Sequence, residues 1–147
     1  MKTIKELETY LEENCYSFQE LSIGNHYAPE GIVIEEEGGK FNFSYSERGR
    51  KNIIKSFDKE EDLVEYALKK LQEDKWNRAH MVVSTFSEKE ISEAERVLSD
   101  MKIEFKRNDV PNYRSGMTAY RIFVFGKDIL KRDTFKRSIC IRCNRLT

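Results

Sequence analysis

Histidine, cysteine and proline are scarce in this chain of 147 residues, which holds two, three and two of them. His26 and His80 stand far apart and neither opens an H-E-x-x-H, so the two-histidine helical face of many zinc enzymes is excluded. Three cysteines, Cys15, Cys140 and Cys143, cannot pair completely, which favours reduced thiols over a disulfide framework. Long apolar runs are missing too. No stretch approaches the ~18 residues of a membrane helix, and the opening Met1-Lys2-Thr3-Ile4-Lys5-Glu6 is amphipathic, without an apolar signal core. The expectation is a cytoplasmic protein with no membrane partner.

Phosphate-binding and nucleophile motifs also fail. A P-loop needs a glycine separated by four residues from Gly-Lys and a hydroxyl just after it, so that lysine and hydroxyl reach phosphate and magnesium together. Gly39-Lys40 is flanked at those positions by Ile34 and Phe41, and Gly126-Lys127 by Arg121 and Asp128. Neither G-x-G-x-x-G nor G-x-S-x-G occurs. Cys140 and Cys143 have C-x-x-C spacing, but they close an alternating segment instead of opening a helix, and positions three apart on a strand face opposite ways. Zinc there would need Cys15, His26 or His80 as further ligands, all distant in sequence. The expectations are no catalytic residue, no cofactor, no metal and no small-molecule substrate: a protein that is not an enzyme.

What the chain has is charge and aromatic side chains. Charged residues make up 35%, aromatic ones 12% and hydrophobic ones 39%, with a net charge of zero, enough apolar surface to fold and too little to leave the surface unsolvated. The length fits a single domain over 1–147, divisible into halves 1–75 and 76–147. Sign is uneven along the chain: residues 1–37 hold 2 Lys/Arg and 9 Asp/Glu, whereas 102–147 hold 12 and 4. Such asymmetry fits a basic surface for nucleic acid, an acidic surface for a basic protein, or two regions that attract one another.

Periodicity predicts an α+β fold. Thr3 and Glu6 have capping-box spacing before Ile4, Leu7 and Leu11, predicting a helix over about 3–14. A loop through Gly24 and Pro29 leads to a three-stranded antiparallel meander from Gly31 to Phe57, turned at Gly38-Gly39 and, more loosely, at Glu47-Arg48-Gly49-Arg50. Asp58 with Glu61 is expected to cap a helix that buries Leu63, Ala67 and Leu71. The second half reads as a strand over 81–86, a helix capped by Ser87 with Glu90, a strand at Ile103 and Phe105, and a loop containing Pro111 and Gly116. A central strand from Ala119 to Phe125, a short basic helix or loop over 127–137 and an edge strand from Ser138 to Cys143 complete it.

Two surfaces stand out as binding candidates. Arg107, Arg114, Arg121, Lys131, Arg132, Lys136, Arg137, Arg142 and Arg145 are interleaved with Phe105, Tyr113, Tyr120, Phe123 and Phe135, the composition of a nucleic-acid surface, with Arg132, Lys136 and Arg137 as its densest group. The aromatics also sit at strand-core spacing, and Tyr120–Gly126 lacks the leading glycine of an RNA-recognition strand. The other candidate is Glu35-Glu36-Glu37 at the first hairpin, with Tyr45, Glu47 and Arg48 approaching the second. Acidic residues beside a turn discourage strand aggregation, or complement a basic partner.

One stretch resembles a known family. Phe41-Asn42-Phe43-Ser44-Tyr45-Ser46-Glu47-Arg48-Gly49, a strand, and then Phe57-Asp58-Lys59-Glu60-Glu61-Asp62-Leu63-Val64-Glu65-Tyr66-Ala67-Leu68 is similar to a segment of small bacterial immunity proteins that neutralise polymorphic toxins. The resemblance covers about 30 residues. It implies a non-enzymatic inhibitor that binds a cognate toxin and occludes its active site. Hairpin turns project from a sheet, so Glu35, Glu36, Glu37, Tyr45, Glu47 and Arg48 are the expected contacts, with Tyr45 alternatively continuing the buried Phe41–Phe43 row. The alternative function is a nucleic-acid or regulatory module acting through Arg132, Lys136 and Arg137.

Overall fold

A computed structural model describes residues 1–139. The chain divides into two compact units, Met1–Asn77 and Arg78 onward, each with its own apolar cluster. The class is α+β, and none of the helices among the described residues is long and apolar enough to cross a membrane.

In the first unit, α1 (Ile4–Glu13) starts where the sequence placed it: the Thr3 hydroxyl accepts the Glu6 N–H at 3.1 Å. Leu7 and Leu11, one turn apart, are fully buried. Four strands follow: β1 (Leu21–Ile23), β2 (Gly31–Glu37), β3 (Lys40–Glu47) and β4 (Arg50–Phe57). They lie in the order β1-β2-β3-β4, so the antiparallel meander gains a parallel edge strand where a loop was expected. Three residues are too few to show a period, and the partner of β1 is fixed at long range. Gly31 makes that pairing possible. With φ at +117° it passes Glu20 so closely that a Cβ would lie 2.0 Å from the Glu20 carbonyl, which accepts the Ile32 N–H.

The β2–β3 and β3–β4 hairpins both close with two-residue turns at positive φ, Gly38-Gly39 and Arg48-Gly49. The second turn is therefore as tight as the first. Helix α2 (Glu60–Glu73) lays Leu63, Val64, Ala67 and Leu71 against Ile34, Phe43, Leu7 and Leu11. Its cap differs from expectation: Lys59 occupies the N-cap without a side-chain bond, while Asp58 pairs with Lys40. Three first-turn acids serve the helix dipole instead, and one of them, Glu60, accepts the Ile4 N–H at 2.7 Å, joining α2 to α1.

Among the described residues, every strand pairing of the second unit is antiparallel. It contains β5 (Ala79–Thr85), α3 (Glu88–Asp100), β6 (Phe105–Arg107), β7 (Val110–Arg114) and β8 (Met117–Phe125), then a 3-10 helix (Gly126–Lys131) and α4 (Arg132–Ser138). Ser87 caps α3 through the Glu90 N–H, and β8 is central, pairing β5, β6 and β7. The expected loop around Pro111 is a strand. Its pairs with β8 fall at Val110 and Arg114 with a register shift between, so Pro111 has no donor to supply. Ser138 belongs to α4, contrary to the expected edge strand, and Cys140–Cys143 lie outside the described residues. The core gathers Val83, Ile91, Leu98, Ile122, Val124 and Phe135.

Burial sets what truncation costs. Leu63 is fully buried, so Leu63→Ala is expected to lower stability by about 2–5 kcal/mol. Ile53 on β4 is 56% exposed, and Ile53→Ala should stay within about 0.5 kcal/mol of the parent in urea denaturation.

Candidate functional site

Period-two alternation on β2 and β3 distributes the hairpin residues over two faces. Ile34, Glu36, Phe41, Phe43 and Tyr45 share the face that α2 covers, as the register Ile34↔Phe43 and Glu36↔Phe41 requires. Phe43 is buried, its ring edge-on to Tyr66 at 5.2 Å. Tyr45 is in the same row yet 41% exposed: its β2 partner Ile32 packs against the apolar cluster, whereas β4 on its other side is exposed from Arg50 to Ser56. Tyr45 stands opposite Asn52 on β4, one residue from the exposed Ile53 and two from the exposed Ile54. Between Phe43 and Ser44 the β3–β4 register shifts, and Ile54 is the extra residue, unpaired in the ladder. Glu47, Arg48, Arg50 and Asn52 border an open depression of about 620 Å³ at this end of the hairpin.

Arg48 occupies the first turn position with φ at +52°. A side chain with a Cβ is disfavoured there, and glycine or asparagine is the ordinary occupant. The long cationic side chain is thus held at the projecting tip against the local backbone preference.

The acidic triplet is divided. Glu36 is exposed on the α2 face, whereas Glu35 and Glu37 point to the opposite face and both bind the Lys51 ammonium of β4, Glu37 at 2.7 Å. Hydrogen bonding to Lys51 holds the Glu37 carboxyl below its ordinary range, and the two carboxylates push Lys51 up. Two of the three expected partner contacts are therefore engaged within the sheet. Sequence spacing missed Lys51, Ile53 and Ile54, since their places follow from the β3–β4 register and its shift.

The basic region resolves differently. Arg107 is held by Glu95 and Asp109 at 3.0 and 2.8 Å and lies over the Tyr120 ring, and Arg121 donates to the Asn108 carbonyl. Phe135 is in the core, and Phe105 and Tyr120 pack against it, while Tyr113 is exposed. Arg132 and Arg137 are exposed on α4 and Lys136 is half-buried. His80 lies in β5, and Cys15 follows α1 half-buried. Comparison with protein-family models, with curated proteins and with solved structures finds no match to this chain.

The Lys51 bridge has a pH signature. A lowered Glu37 pKa favours the fold above the ordinary glutamate value of about 4.3 and loses that contribution as pH falls through the folded-state pKa. In Lys51→Gln the neighbouring Glu35 carboxylate is left uncompensated, so NMR titration should show the Glu37 pKa moving upward; an unchanged value would mean that Lys51 does not hold it.

Proposed function

We propose that the chain is an immunity-type inhibitor that binds a cognate toxin protein through the β3–β4 end of its first sheet. The observation that carries this reading is the exposure of Tyr45 beside Glu47, Arg48 and Arg50 at the projecting β3–β4 turn, with the exposed Ile54 at the adjoining register shift. An aromatic anchor beside aliphatic surface, rimmed by charges of both signs, is the composition of a protein-binding patch. The resemblance of residues 41–68 to immunity proteins falls on the same strand and helix. In such a complex Tyr45 supplies affinity, and the rim charges speed association.

The strained Arg48 fits the same role. A left-handed residue with a Cβ costs roughly 1 kcal/mol or more, so Arg48→Gly should stabilise the protein while weakening its complex. Nucleic-acid binding has less support, because Arg107 and Arg121 are engaged within their own unit and the aromatics beside them pack on the core.

The test is co-expression with the toxic product of the adjacent gene, followed by titration of the purified pair. Tyr45→Ala is expected to weaken binding by roughly 30-fold, about 2 kcal/mol. Glu36→Lys and Arg48→Glu should chiefly slow association, with thermal stability retained. Glu37→Lys is the poorer probe, since it would place a second ammonium beside Lys51. Full protection by Tyr45→Ala, Glu36→Lys and Arg48→Glu at limiting protein would move the interface off this hairpin. Sub-micromolar RNA or DNA binding at about 150 mM salt, lost when Arg132, Lys136 and Arg137 are all alanine, would favour the nucleic-acid reading.

A further inference from the structure

Glu8 is the most deeply buried charged side chain of the first unit's core region, with 2% of the side chain exposed. One oxygen, Oε2, accepts the Asn25 N–H at 2.7 Å, and the other accepts the exposed Lys5 at 3.1 Å. Burial alone would raise its pKa, but the Asn25 N–H, Lys5 and His26 hold the carboxyl below the ordinary range, so it is an anion at neutral pH. Gly24 gives the carboxylate its space: a Cβ there would sit 2.3 Å from Oε2. Glu12, one turn further along α1, stacks its carboxylate on the same side.

His26 comes to these groups from a different element. Reciprocal backbone bonds between Ile23 and His26 close the turn, and Phe18 stacks on the imidazole at 3.7 Å with the planes 12° apart, which fixes the ring's orientation. Its Nε2 lies 3.9 Å from Glu8 Oε2 and 3.8 Å from Glu12 Oε2. Both distances exceed the 2.7–3.2 Å range of an N–H···O hydrogen bond. All three donor atoms nevertheless lie within 4.8 Å of one another, enclosing a gap. Ligands at about 2.0–2.1 Å around a tetrahedral ion are separated by roughly 3.4 Å, a spacing that the two imidazole–carboxylate distances of 3.9 and 3.8 Å exceed by only about half an ångström.

We infer that Glu8, Glu12 and His26 form a binding site for a divalent metal ion of the zinc class. Two carboxylates and a neutral imidazole balance the ion's charge, and the nitrogen donor favours zinc and its first-row neighbours over magnesium or calcium. Glu12 and His26 are partly open to solvent, leaving the fourth position to water. The bound ion ties α1 to the turn between β1 and β2. This inference stands independently of the proposed function.

The experiment is calorimetric titration of zinc chloride into the full-length chain, first stripped with a chelator, with melting temperature read alongside. One ion per chain is expected, with a rise in melting temperature. Glu12→Gln, at a half-exposed position that leaves the core intact, and His26→Gln should each lower affinity by about 100-fold, the upper end of what outer partners of a ligand cost, and abolish the rise. Cobalt loading should give visible bands without thiolate charge transfer. Unchanged affinity in both variants, with loss in a Cys140→Ser, Cys143→Ser variant, would overturn the assignment in favour of the cysteines. Absence of binding to the parent chain would overturn the assignment and leave His26 a packed neighbour of two carboxylates.

Discussion

Packing of α2 across β3 is the contact on which the first unit depends. Phe43 is enclosed because Leu63, Ala67 and Tyr66 arrive on its face of the sheet, and the same helix presents Glu60 to the start of α1. A helix of 14 residues spans about 21 Å and a strand of eight about 27 Å, so the cover does not extend along the whole hairpin. Ile32, paired with Tyr45 on β2, still packs against the cluster, so burial fades across the sheet toward β4, which is exposed from Arg50 to Ser56. Tyr45 thereby changes from a member of the aromatic row into a surface side chain, and the unpaired Ile54 of the register shift adds to the same region. The candidate partner surface is a by-product of where the core stops.

Charge is organised locally. The ion pairs described above each close within one unit: Lys51 with Glu35 and Glu37, Lys40 with Asp58, Arg107 with Glu95 and Asp109. The acidic beginning and basic end of the sequence therefore give a poor guide to the field at any one site. Glu36 and Arg48 are open to a partner, while Glu35 and Glu37 are screened by a lysine that sequence spacing does not bring near them. Exposed pairs of this sort add little to stability, but they decide which charges remain to steer an incoming protein.

Helix starts and tight turns were legible in the sequence because they are settled within four residues. Thr3 and Ser87 reach their own first-turn N–H groups, and Gly38-Gly39 supplies both positive φ angles of a two-residue turn. The centrality of β8 was legible too, since a strand flanked on both edges shows a long apolar run. Asp58 had the same local credentials as Thr3, yet Lys40, eighteen residues away, holds it instead. A local cap yields when a long-range partner competes for the same oxygen.

Composition and short-range pattern by themselves determined the α+β class and the positions of most helices and strands, but not the burial of the polar Asn42 and Ser44 on β3. Tertiary structure alone decided that Leu21–Ile23 pairs in parallel with β2, that Lys51 spans to Glu35 and Glu37, that Tyr45 lies beyond the cover of α2, and that His26 meets Glu8 and Glu12. Each of these joins residues at least 11 positions apart or turns on where a distant helix ends. Their energies depend on distances in space that a periodicity, which compares a residue only with its near neighbours in the chain, does not contain.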